Sequence, residues 1–162
     1  MPSKSMSKLA AKIVCAQAAF LLGVLHPAGP ASAADFTVRM LNQGMDGMMQ
    51  FDPQMVKIAP GDTVHFTATD QGHNVQSLDG MIPAGAQPFH SGTGQNLAVK
   101  FTVPAVYGYR CNPHGTLGMV GMVIVGQPAN EAAAKGAAMG GAAGRVFAKL
   151  FETLDSTKIA GN

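Results

Sequence analysis

Residues 97–103 read Leu97-Ala98-Val99-Lys100-Phe101-Thr102-Val103, with large apolar side chains at every second position. A period of two places one set of side chains on a buried face and the other toward water, which is typical of a strand in a half-buried sheet. Residues 64–69 repeat this pattern in Val64-His65-Phe66-Thr67-Ala68-Thr69. Turn residues bound the two stretches, at Pro60-Gly61-Asp62 and at Pro104.

Further short apolar segments extend this pattern over residues 34–126. Residues 36–41, 55–58, 107–111 and 120–125 also read as strands, whereas residues 70–96 are rich in Gly, Pro and polar side chains and read as loop. Short strands separated by turns are typical of an antiparallel β-sandwich with Greek-key connections. The sequence therefore predicts an all-β sandwich domain.

The composition changes near Gln127-Pro128, and residues 127–162 form a predicted helical extension. Asn130 is a suitable N-cap for a helix from Glu131 to about Met139, which Gly140-Gly141 then ends. Four apolar residues beyond it fall on one face of a second helix, namely Phe147, Leu150, Phe151 and Leu154. We expect two short helices packed on the outside of the sandwich.

The first 33 residues have the pattern of a secretory signal peptide. Lys4, Lys8 and Lys12 precede a mostly apolar stretch at residues 13–25, and Ala31-Ser32-Ala33 is a cleavage signal. The alternative is a membrane anchor, for which the apolar stretch is short. The sequence predicts an exported chain that begins near Ala34 and has no membrane segment after cleavage.

Cleavage changes both the size and the charge of the chain. Removing 33 of the 162 residues leaves 129, and removing three lysines from the 11 basic residues leaves eight against nine acids. We expect one monomeric domain. No basic stripe or run of stacking aromatic residues predicts a nucleic-acid partner.

Cys111 is the sole cysteine of the predicted mature chain, because Cys15 lies in the signal peptide. It cannot form an internal disulfide, so it is a buried apolar residue, a reactive thiol, an intermolecular bridge or a metal ligand. The residues around it favour a metal ligand. The segment Cys111-Asn112-Pro113-His114-Gly115-Thr116-Leu117-Gly118-Met119 has the spacing Cys-x2-His-x4-Met, and His73 lies 38 residues before Cys111.

These four residues offer two imidazoles, a thiolate and a thioether. Each alone is more often a solvated histidine, a buried cysteine or a core methionine. Together they match a blue-copper electron-transfer site, with two His and one Cys in a plane and a weak axial Met. Zinc is the main competing metal, but structural zinc sites favour more thiolates. The sequence predicts one type 1 copper ion that cycles between Cu(I) and Cu(II).

Three neighbouring residues are expected to support these ligands. The backbone N–H of Asn74 is placed to reach the Cys111 sulfur, and its side chain to tie its loop to Asn112. Pro113 has no N–H and cannot donate a second hydrogen bond. A single donor would leave the thiolate electron-rich and lower the reduction potential.

Five segments carry a resemblance to a known family: Met40-Leu41-Asn42, Ala59-Pro60-Gly61-Asp62-Thr63-Val64, Gly72-His73-Asn74-Val75, Gly80-Met81-Ile82-Pro83 and Gly118-Met119-Val120-Gly121. The chain resembles the pseudoazurins, which are cupredoxins of the bacterial periplasm. The resemblance implies a cupredoxin fold, with His73, Cys111 and His114 as strong ligands and Met119 as the axial one. It also implies electron transfer from a cytochrome-like donor to a nitrite reductase or a related periplasmic oxidoreductase.

The same resemblance implies a docking face around His114, lined by Met49 and Pro113. Family members often surround this face with lysines that attract acidic partners. Four positions of this chain align with those lysines, namely Gln43, Gln71, His90 and Arg110. Only Arg110 carries a firm positive charge. An acidic partner is therefore not assumed.

Two other functions remain open. Met45, Met48 and Met49 form a methionine cluster that also fits copper trafficking or storage, although soft packing is the simpler explanation. A copper enzyme would need a second centre with further histidines, and only His65 and His90 remain. We therefore expect no catalytic activity.

Overall fold

The computed structural model describes residues 32–159. Residues 1–31 of the predicted signal peptide lie outside this range. Within it, no helix combines the length and the apolar character needed to cross a bilayer.

The described residues form two four-stranded sheets that face each other. One sheet has the order β2-β1-β4-β6 and the other β3-β8-β7-β5. The strands are β1 (Asp35–Gly44), β2 (Gly47–Asp52), β3 (Met55–Ile58), β4 (Thr63–Thr67), β5 (Gln76–Ser77), β6 (Leu97–Lys100), β7 (Val106–Arg110) and β8 (Val120–Val125). A 3-10 turn (Gly115–Leu117) precedes β8, and the helices α1 (Glu131–Ala137) and α2 (Gly141–Ile159) follow it. The predicted all-β sandwich with C-terminal helices is confirmed.

The prediction of an antiparallel sandwich is wrong for two of the strand pairs. The β1–β4 and β3–β8 pairs are parallel, and the other four strand pairs of the described residues are antiparallel. The parallel pairs arise because the chain crosses to the other sheet before it returns beside an earlier strand. A period of two identifies the face of each side chain but not the direction of the neighbouring strand.

Two alternating stretches are shorter as strands than predicted. The stretch at residues 64–69 leaves the sheet after Thr67, where the Ala68 N–H donates to Asn96 Oδ1 at 2.8 Å. The stretch at residues 97–103 leaves after Lys100, where the Phe101 N–H donates to the Asp62 carbonyl at 2.9 Å. Loop residues therefore replace the neighbouring strand as hydrogen-bond partners.

β8 separates two hydrophobic cores, because its side chains alternate between them. Val123 and Val125 point into the sandwich, together with Met119 directly before the strand. Val120, Met122 and Ile124 point to the outer side, against the helices. Burial on both faces explains why β8 reads as a continuous apolar run.

The two helices pack on the outside of the second sheet, as expected. All four predicted apolar residues of the second helix are buried there: Phe147, Leu150, Phe151 and Leu154. The lengths differ from the prediction, since α1 ends at Ala137 and α2 begins at Gly141 and runs for 19 residues, so only α1 is short.

Asn130 is not the predicted side-chain cap. Its Oδ1 accepts from the Val106 N–H at 2.7 Å, and its Nδ2 donates to the Val106 carbonyl at 2.9 Å. These long-range bonds fasten the start of α1 to β7. They take the place of the local cap because a buried backbone needs its hydrogen bonds satisfied.

Candidate metal centre

The fold brings the four predicted ligands to one end of the sandwich. Cys111 directly follows β7, His114 directly precedes the 3-10 turn and Met119 directly precedes β8. The antiparallel pairing of β7 with β8 closes this segment into a loop, in which the Cys111 N–H donates to the Met119 carbonyl at 3.0 Å. The Met119 N–H donates to the His114 carbonyl at 3.2 Å. His73 approaches from the separate loop between β4 and β5.

Three donor atoms lie close enough to share one ion. Cys111 Sγ is 3.8 Å from His73 Nδ1 and 3.5 Å from His114 Nδ1, and the two Nδ1 atoms are 3.1 Å apart. Metal bonds of about 2.0 Å to imidazole nitrogen and about 2.3 Å to thiolate sulfur span donor pairs up to about 4 Å apart. Since all three separations fall below this limit, the donor set fits a single ion.

Three of the four side chains are shielded from water. His73, Cys111 and Met119 are fully buried, whereas His114 is partly exposed. Met119 belongs to the same sandwich core as Cys111. Among these four residues, only His114 therefore reaches solvent.

Asn42 supports the site, although the sequence reasoning did not assign it a role there. Its Oδ1 lies 2.9 Å from His73 Nε2, so this oxygen can accept a hydrogen bond from the ring when the proton is on Nε2. The lone pair of Nδ1 then faces Cys111 and His114, which is the orientation that a ligating histidine requires. Asn42 lies within one of the segments that carry the family resemblance, but this long-range contact leaves no local signal.

Burial and hydrogen bonding have opposite effects on the pKa of the Cys111 thiol. Burial raises the pKa of this thiol above its usual value, while hydrogen bonds from the backbones of Asn74 and His114 lower it. The prediction of a single hydrogen-bond donor to the Cys111 sulfur stays a prediction, and Pro113 has no N–H to contribute. The Asn74 side chain lies as expected, with its Oδ1 accepting from the Asn112 N–H at 2.8 Å.

The pKa of His73 is lowered. Burial is the main cause, followed by repulsion from His114, and Asp70 opposes them. A neutral imidazole is the form that can bind a metal ion. The buried environment therefore favours the ligating form of His73.

The predicted docking residues are all at least partly exposed. Pro113 is exposed, and Met49 and Arg110 are partly buried. Arg110 packs closely over Gly115, where an added Cβ would lie 3.3 Å from Arg110 Cδ. At the β1–β2 turn, Met45 is 95% exposed and Met48 is 70% exposed.

The two remaining histidines of the described range stand apart from the cluster formed by His73, Cys111 and His114. His65 is partly exposed, and its Nε2 lies 2.8 Å from Asp35 Oδ1. His90 is exposed.

Comparison with known proteins agrees with this geometry. The family model for copper-binding proteins of the plastocyanin/azurin family matches residues 38–126. The chain is 46% identical over 105 residues to pseudoazurin from Methylorubrum extorquens AM1, covering 65% of this chain and 71% of the relative. It is 42% identical over 121 residues to pseudoazurin from Paracoccus pantotrophus, covering 74% of this chain and 83% of the relative.

Comparison with a solved structure leads to the same family. The crystal structure of pseudoazurin from Methylobacterium extorquens AM1 matches with a TM-score of 0.72 at 41% identity, covering 74% of this chain and 98% of that one. The chain therefore belongs to the plastocyanin/azurin family of copper-binding proteins. It is a blue-copper electron-transfer protein that takes one type 1 copper ion. Within this family it is similar to the pseudoazurins, as its sequence motifs predicted.

Proposed function

We propose that this chain is a one-electron shuttle of the periplasm, with His73, Cys111, His114 and Met119 as the four copper ligands. The observation that carries the assignment is the convergence of two imidazole nitrogens and one thiol sulfur within 4.8 Å of one another. Copper supplies a centre that accepts and releases a single electron. Thiolate and thioether sulfur with imidazole suit both of its oxidation states.

The residues around the ligands hold them still during this change. Asn42 fixes the His73 ring, and Asn74 links its loop to the backbone of Asn112. Two hydrogen bonds hold Met119 between His114 and Cys111. Because the donors are constrained and mostly buried, little rearrangement accompanies electron transfer.

Adding Cu(II) to the purified apoprotein tests the ligand assignment. We expect an intense sulfur-to-copper charge-transfer band in the visible spectrum, which Cys111→Ser removes. His90→Ala is the matched control, because His90 is exposed and lies outside the cluster. A band that survives Cys111→Ser would exclude this ligand set.

Electrons leave through the partly exposed ring of His114, at the docking face formed by Met49, Pro113 and Arg110. The proposed donor is cytochrome-like and the proposed acceptor is a nitrite reductase or another periplasmic oxidoreductase. The similarity to pseudoazurins supports this choice. The chain then acts as a monomeric carrier and not as an enzyme.

Replacing Met49 by Glu tests this exit. We expect slower electron transfer to a copper nitrite reductase and from a cytochrome c, because a charge in the apolar contact must be desolvated. Val103→Glu is the control, since Val103 is exposed and precedes the end of β7 opposite to Cys111. Equal rates for wild type and Met49→Glu would rule out this face.

Copper trafficking is a second candidate, favoured by the exposure of Met45 and Met48. Thioethers are soft ligands that bind Cu(I). A trafficking protein should bind more than one Cu(I) per chain and lose the excess in Met45→Leu/Met48→Leu. A shuttle should hold one ion through repeated redox cycles, and counting copper per chain separates the two functions.

A further inference from the structure

We infer that the first two turns of α2 position Met119 through the backbone on either side of it. This inference rests on the proposed function, in which Met119 is the axial copper ligand. The helices were expected only to cover the sandwich. The structure places α2 directly against the segment that carries the ligands.

The contact before Met119 involves Gly118. A Cβ added to Gly118 would lie 3.5 Å from Val146 Cγ2 and 3.8 Å from the Ala142 carbonyl oxygen. Gly118 has a φ of 108°, which favours glycine, so this backbone approaches the helix in a conformation that few other residues adopt. Val146 is the helix side chain nearest to this point.

The contact after Met119 involves Val120. Its side chain is buried in the outer core with Ala143 and Phe147, both from the first two turns of α2. The Met119 side chain points the opposite way, into the sandwich core with Cys111. The helix therefore packs against the chain immediately before and after the proposed axial ligand.

The thioether is the weak partner in a type 1 site, and its contribution tunes the reduction potential. A weak bond cannot by itself determine where its own loop lies, so packing from outside has to do so. The hydrogen bonds of Met119 join it only to His114 and Cys111, which are themselves on the ligand loop. The contact with α2 supports this backbone from a separate element on the outer side of the sheet.

Val146→Ala removes the side chain that faces Gly118. The backbone then relaxes toward α2, away from the sandwich, and withdraws the Met119 sulfur from the metal position. Weaker sulfur donation stabilises Cu(II) less, so the reduction potential should rise and the EPR spectrum should become more axial. Val146→Ile adds bulk at the same point and should shift both quantities the opposite way.

Leu154→Ala is the matched control. Leu154 is buried in the same core, but it lies eight residues further along α2, about 12 Å along the helix axis. The Leu154→Ala variant loses more packing than Val146→Ala does, and it leaves the contact between Val146 and Gly118 in place. Shifted potential and EPR in the two Val146 variants, with wild-type values in Leu154→Ala, support the inference.

The inference is overturned by wild-type values in the Val146 variants, or by equal shifts in Leu154→Ala. If Val146→Ala fails to fold, Val146→Ile decides by the same criteria. The visible spectrum of the wild type separates this inference from the proposed function. If the wild type shows no sulfur-to-copper band, both the proposed function and the positioning role are rejected. If the band is present but the potential and EPR spectrum of the Val146 variants are unchanged, only the positioning role is rejected.

Discussion

Replacing Asn42 by Leu should weaken copper binding without removing a ligand. In the metal-free chain, His73 can carry its proton on either nitrogen, because Nε2 faces Asn42 Oδ1 at 2.9 Å and Nδ1 faces His114 Nδ1 at 3.1 Å. When Nδ1 binds the metal, the proton must stay on Nε2 and needs the Asn42 oxygen. The substitution therefore penalises the loaded form more than the metal-free form.

The size of the effect follows from the burial of His73. An unsatisfied buried donor costs about 1–3 kcal/mol, which corresponds to roughly 5- to 150-fold in affinity at about 1.4 kcal/mol per factor of ten. Losing a group that orients a ligating histidine typically costs about 10- to 100-fold. Asn42 lies at the surface, so water offsets part of the loss, and we expect roughly tenfold weaker binding.

Competition with a chromophoric Cu(I) chelator measures this affinity. Asn42→Asp retains an acceptor and should bind copper at least as tightly as the wild type does. Gln43→Leu is the control, because among the described residues the Gln43 side chain hydrogen-bonds only to the neighbouring Gly44 carbonyl. Equal affinities of Asn42→Leu and Gln43→Leu would refute the role of Asn42 in holding His73.

Three further predictions concern the stability of the metal-free chain. The pKa of His73 is lower in the folded chain than in the unfolded chain, so the unfolded chain takes up this proton first as the pH falls. The free energy of unfolding is therefore full above about pH 6.5 and decreases as the pH drops through the folded-state pKa. Thermal unfolding measured from pH 8 to pH 5 should show a loss of stability that is smaller in His73→Gln. Tyr109→Phe should be neutral or stabilise the fold by up to about 2 kcal/mol, because the buried hydroxyl has no hydrogen-bond partner within residues 32–159. Clear destabilisation in urea unfolding would contradict this. Asn130→Ala leaves the buried backbone of Val106 without two hydrogen bonds, so the free energy of unfolding should fall by roughly 2–3 kcal/mol. An unchanged urea midpoint would show that α1 does not need this link.

The sequence pattern located strands more reliably than it located their partners. Residues 55–58 and 120–125 form strands over the predicted range, since their side chains alone show which positions are buried. The parallel pairing of β1 with β4 depends on the path of the chain between the sheets, which no local period records. The short strand β5 pairs over two residues and has too little pattern to detect.

The ligand candidates were visible because copper demands particular donor atoms at a particular spacing. The residues that orient them were harder to recognise, since their roles arise from contacts between distant segments. Asn42 reaches His73 across 31 positions. Asn130 shows the same limit, because a local capping rule identified it as important but assigned the wrong bond.

The difference in exposure among the methionines has a consequence under oxidising conditions. Peroxide converts accessible thioethers to polar sulfoxides, and accessibility governs which ones react first. Met45 and Met48 are largely open to solvent, whereas Met119 is fully buried. Oxidative damage should therefore begin at Met45 and Met48, in and directly after the β1–β2 turn, and change the polarity of that surface while the buried Met119 sulfur stays intact.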